Sequence, residues 1–155
     1  MKSIDRLSAA VKKEIKRTLE ELLERYHLSK YTLFKARESN ITTSYSDRPN
    51  GPTNVISDPT ARIAVYNVDE PARRKAFCEQ VEQAVSQLPE KERFLITERY
   101  MQRDLPYDFV VYEMRMDPPI GDRTYDKMRT RAFTLLALMF GLEIEGLEQF
   151  YKKTI

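Results

Sequence analysis

Histidine and cysteine are nearly missing from this 155-residue chain, where His27 and Cys78 stand alone. One cysteine cannot close an internal disulfide. A zinc site takes several Cys or His ligands, and two such residues in separate segments cannot supply one. A Ser-His-Asp arrangement would have to use His27, which follows Tyr26 near the end of a helical pattern and reads as a surface or half-buried side chain. The four glycines build no phosphate-cradling loop, and with eight prolines they are too few for a disordered or fibrous chain. No run of about 18 apolar residues is present to cross a membrane. The charged, amphipathic start does not read as a signal peptide. These absences predict a soluble cytoplasmic protein that is not an enzyme and has no metal, cofactor or membrane partner.

What remains is a chain able to build a core under a highly charged surface, with 41% hydrophobic and 32% charged residues. Its length suits one ordinary domain or two very small ones. The net charge of +2 is too small to mark a partner, but its distribution is uneven. Residues 1–40 carry ten basic and six acidic groups (+4), residues 41–90 five and seven (−2), and residues 91–155 eleven of each. Any nucleic-acid surface must therefore be a local stripe. The carboxylates are interleaved with lysine and arginine at helical spacing, as on a solvated face.

In "SIDRLSAAVKKEIKRTLEELLERYHL", Ile4, Leu7, Val11, Ile15, Leu19, Leu22 and Tyr26 recur at steps of three and four, forming one stripe of a long amphipathic helix. Ser3 or Asp5 can cap its start. The stripe needs cover, either from its own core or from a second copy in a homodimer. A shorter helical piece, "LSKYTLFKARE", follows. Residues 40–56, rich in Ser, Thr, Asn, Pro and Gly, read as an irregular linker between an N-terminal helical segment (1–39) and a C-terminal helical domain (57–155). Ser57 or Asp58 is a natural N-cap, with Pro59 in the first turn. Asp69 and Pro71 open a further helix, with Phe77, Val81, Ala84, Val85 and Leu88 as its stripe. No segment alternates as a strand does, so the fold class is all-α.

Three more helices are expected at 89–103, 107–116 and 122–140, the middle one with Tyr107, Val110, Val111 and Met114 on one face. "DPPIG" ends it, because prolines and a glycine cannot continue a helix. This order makes a helix-turn-helix at about 89–140. On a wheel of about 100° per residue, Arg123, Asp126, Lys127, Thr130, Arg131 and Thr134 fall on one polar arc of the last helix. Tyr125, Met128, Ala132, Leu135, Leu136 and Met139 fall opposite. Basic side chains in the N-terminal half of such a helix suit the major groove, because they neutralise phosphates and donate to guanine O6 and N7. Thr124 and Thr130 can reach phosphates or thymine methyls, and the helix N-terminus itself favours a phosphate. The DNA-contact candidates are Arg123, Thr124, Lys127, Thr130 and Arg131. Phe133 to Leu142 is apolar nearly all round and needs cover from the C-terminal segment, the N-terminal helices or another subunit.

The pieces "ITTSYS", "SDPTARIAVYNVDEPARRKAFCEQVEQAVSQLPEKERFLITERYM", "RTYDKMRTRAF" and "LLALMFGLEIE" resemble, in order and spacing, the ArpU family of phage late transcriptional regulators from low-GC Gram-positive hosts. The likeness spans about Ile41 to Glu145. It implies a C-terminal part similar to region 4 of bacterial sigma factors, bound to double-stranded promoter DNA. The family's Arg, Thr and Tyr at the recognition-helix start fall on Arg123, Thr124 and Tyr125, and its next basic positions on Lys127 and Arg129 or Arg131. The resemblance further implies control of late packaging and lysis genes and a contact to host RNA polymerase. "MRMDPPIGD" departs from the family's short Gly-containing turn, being longer and carrying Pro118 and Pro119.

Overall fold

The computed structural model describes residues 2–32 and 58–152, with side chains placed for 2–32 and 70–150. The described residues form helices and no strand. In order they are α1 (Lys2–Asp5), α2 (Ala9–Tyr31), α3 (Asp58–Ser86), α4 (Glu90–Tyr100), a π-helical segment (Val110–Arg115), α5 (Asp122–Met139) and α6 (Glu148–Lys152). The expected linker at 40–56 lies outside the described residues. None of the described helices is long and apolar enough to cross a membrane.

The expected first helix is two. The chain turns after α1, where Leu7 N–H donates to Ile4 C=O at 3.1 Å. Ser8, rather than Ser3 or Asp5, caps α2, its Oγ accepting the Val11 N–H at 3.3 Å. The break lets Ile4 and Leu7 turn into the core beside Ile15, Leu19, Leu23 and Tyr26, all buried. The shorter piece expected next is a continuation of α2 as far as Tyr31, after which Thr32 donates its N–H to Leu28 C=O. The rest of that piece, from Leu33, lies outside the described residues.

No boundary falls at Asp69. α3 runs through Pro71, which lacks the N–H for one helical bond. One missing bond is outweighed by the helical bonds on both sides and by the buried stripe of Cys78, Val81, Val85 and Leu88. Glu82 clips α3 to α2, accepting from Tyr26 Oη at 2.8 Å and Lys30 Nζ at 2.6 Å.

α5 lies at the centre, packed on α2 and α4, while α3 packs on α2 and α4. Its apolar second half is covered within the chain. Phe133, Leu136 and Ala137 are buried, as are Ile144 and Leu147 of the segment that follows. Gly141, at φ +63°, lets the helix stop: its N–H donates to Leu138 C=O, and Leu142 N–H to Ala137 C=O. The chain then returns against α2, where a Cβ on Gly146 would come within 2.6 Å of the Val11 side chain.

The α2 stripe is thus buried by its own chain. Leu19→Ala, at a fully buried position, is expected to cost about 2–5 kcal/mol in equilibrium denaturation. A loss below about 0.5 kcal/mol, the level of a surface change, would contradict this packing.

Candidate nucleic-acid interface

Between α4 and α5 the chain folds around one carboxylate. Asp108, just ahead of the π-helical segment, accepts from Arg99 Nε at 2.7 Å and Tyr125 Oη at 2.8 Å through one oxygen. Its other oxygen accepts from Arg129 Nη1 at 3.1 Å. Arg129 also donates to Asp126 at 2.7 Å and stands over the Tyr125 ring. Its guanidinium is thereby neutralised well enough to sit inside, at 8% exposure. Burial alone would raise the Asp108 carboxyl, but hydrogen bonds from Arg99 and Tyr125 and the nearby guanidinium charges hold it below the usual carboxylate range. Burial pushes the Tyr100 phenol, beside Arg129, up to about 12.

The middle helix expected at 107–116 is π-helical over Val110–Arg115, with Met116 N–H donating to Val111 C=O at 2.9 Å. The wider turn changes which side chains point inward. Only Val111 of the expected face is fully buried, whereas Tyr107 and Met114 are exposed. Arg115 ties the segment to α4 through Glu98 at 2.9 Å, and the Tyr112 ring leans on Tyr125 with centroids 5.2 Å apart.

Held this way, α5 turns its first half outward. Arg123, Thr124 and Lys127 are exposed, and neither Arg123 nor Lys127 makes an ion pair among the described residues. Thr130 is half-buried, its hydroxyl donating to Asp126 C=O at 2.9 Å. Arg131 is held by Asp5 of α1, Nε to Oδ1 at 3.1 Å and Nη2 to Oδ2 at 2.8 Å. Tyr125 is core, as the wheel places it. Thr134, expected on the polar arc, is fully buried and donates to Thr130 C=O, because the core closes over that side of α5 one turn further on. Met139, expected in the core, is 41% exposed. The helix N-terminus is already served by an anion: Asp122 Oδ1 accepts the Arg123 N–H at 2.8 Å.

Sequence reasoning missed three neighbours of this face. Lys12, Lys13 and Lys16 of α2 line a shallow cleft against Asp126, Arg129 and Thr130 of α5. The basic excess of residues 1–40 was their signal. Leu105, Tyr107, Phe109 and Met114 are exposed apolar side chains of the 105–114 stretch, with the Tyr107 and Phe109 rings stacked at 6.0 Å.

The chain is 23% identical over 130 residues to an uncharacterised phage-related protein of Listeria innocua, covering 84% of this chain and 89% of that protein. No family model matches. No solved structure matches.

Asp108→Asn should cost about 1–2 kcal/mol, the lower part of the range for charged hydrogen bonds, because solvent reaches the carboxylate. A group with a lowered folded pKa stabilises above its unfolded value and stops doing so as pH falls through the folded one. The Asp108 contribution is therefore present above about pH 4 and lost below it. Urea midpoints of wild type and variant should converge in acid, and an equal gap at pH 3 and pH 7 would contradict the assignment.

Proposed function

We propose that this protein is a phage DNA-binding transcriptional regulator in which α4, the π-helical segment and α5 act as a helix-turn-helix. α5 enters the major groove, Arg123, Thr124 and Lys127 make its contacts, and Thr130 and Arg131 lie at its inner edge. The carrying observation is that two uncompensated cations project from the first half of a helix whose other side is locked to α4 by Asp108 and Arg129. Such a helix holds the backbone that carries these side chains in one orientation, as base readout requires. The likeness to a phage-related protein and the sequence resemblance to phage late regulators support the setting. On that resemblance the targets are promoters of late packaging and lysis genes.

A second reading is favoured by the exposed, stacked Tyr107 and Phe109 rings, in a stretch that also exposes Leu105 and Met114 and so offers apolar surface to a protein. In it the chain is an adaptor on host RNA polymerase without a DNA contact of its own. Gel shifts with genomic fragments of the parent phage separate the two. The regulator reading expects selective, salt-sensitive binding, weakened by Arg123→Ala or Lys127→Ala by about 1–3 kcal/mol where the side chain reads a base. No selective shift, together with capture of RNA polymerase that Tyr107→Ala abolishes, would favour the adaptor.

A further inference from the structure

We propose that α2 is the second DNA-contacting element, its Lys13 and Lys16, with Lys12, gripping the sugar-phosphate backbone that borders the groove α5 enters. This rests on the reading of α5 above and extends the surface to the N-terminal helix.

The cleft between α2 and α5 brings these lysines beside Thr130 and Asp126 on one flank of α5. Asp5 marks where the two groups of cations meet. Its carboxylate is bound by Arg131, and its backbone carbonyl accepts from Lys12 Nζ at 3.0 Å. The hydrogen bond from Arg131, then the charges of Arg131, Lys12 and Lys127, hold that carboxyl below the usual range. Most of the acidic groups here are already engaged: Asp5 pairs with Arg131, Asp126 shares Arg129 with Asp108, Glu14 shares Arg17 with Glu21, and Asp122 accepts the Arg123 backbone N–H. Lys13, Lys16, Arg123 and Lys127 are left facing solvent with no ion pair among the described residues.

Dimensions give this charge its partner. An α-helix with its side chains is about 10–12 Å across, so it fills a major groove about 12 Å wide. A helix packed on its flank stands about 8–10 Å to the side. That position is over the phosphates along the groove edge, not over bases. Lysine suits it, being a compact charge on a flexible stem, able to follow a backbone without reading sequence.

The test measures binding of labelled duplex to the full chain across a salt series, for a duplex selected from genomic fragments and a random one. K13A/K16A should bind both more weakly by the same factor. The slope of log K against log salt should fall by roughly 0.9 for each lysine removed. K13R/K16R should restore both quantities. Lys75→Ala changes charge at the other end of α2, where residues 70–77 of α3 lie beside residues 25–32. It should leave slope and affinity unchanged. A thermal midpoint for each variant separates lost binding from lost folding. Unchanged affinity and slope in K13A/K16A, while Arg123→Ala still weakens binding, would overturn the α2 contact and spare the α5 reading. Loss on the selected duplex alone would overturn the backbone role. Wild type with no salt-sensitive binding would overturn both.

Discussion

The carboxylate of Asp108 is the constraint on which the arrangement of α4, the π-helical segment and α5 depends. Arg99 comes to it from α4, Tyr125 and Arg129 come from α5, and Asp108 itself begins the segment between them. Hydrogen bonds have direction, so three donors on one carboxylate fix the rotation of α5 about its axis as well as its distance. Apolar packing alone would hold α5 less specifically, since volume-conserving rearrangements of a core cost little. Fixing that rotation sends Arg129 inward and leaves Arg123 and Lys127 outside.

The same helix therefore has two characters along its length. Its second half packs against α2, α4 and the returning C-terminal segment, with Phe133, Thr134, Leu136 and Ala137 buried and Met139 left exposed. Its first half turns Tyr125, Arg129 and partly Met128 inward, and leaves Arg123, Thr124 and Lys127 open. A helix anchored at one end and exposed at the other needs no backbone ordering on binding, which favours the proposed groove contact. The α2 lysines gain their relevance from that packing, because burying Ile15 and Leu19 against the core stands Lys12, Lys13 and Lys16 beside the open half.

Much of this was legible in spacing. The steps from Ile4 to Tyr26 and from Phe77 to Leu88 mark faces that are in the core, and the wheel placed Tyr125 inside. Arg129 was not legible as a buried residue, because what permits its burial is Asp108, twenty-one positions earlier in the chain. A helical wheel carries no information about such a partner. The inward face of the middle helix was misjudged because Tyr107 lies ahead of the helix and the rest was counted at α-helical pitch, while Val110–Arg115 winds more widely. Thr134 is polar and lies on the polar arc, yet the core covers it, since the arc stays open only along the first half of α5. Asp69 and Pro71 carry a start signal that the continuous α3 overrides. The lysines of α2 looked like the solvated side of an amphipathic helix, and only the packing of α2 on α5 gives them a neighbour.

The most direct measurement of the central claim is an NMR titration of the labelled protein with duplex DNA, following every backbone amide. Shifts concentrated at residues 122–131, with a second group at 12–16, are the result this account predicts. Shifts confined to residues 105–114, or none at DNA concentrations that saturate a gel shift, would contradict it.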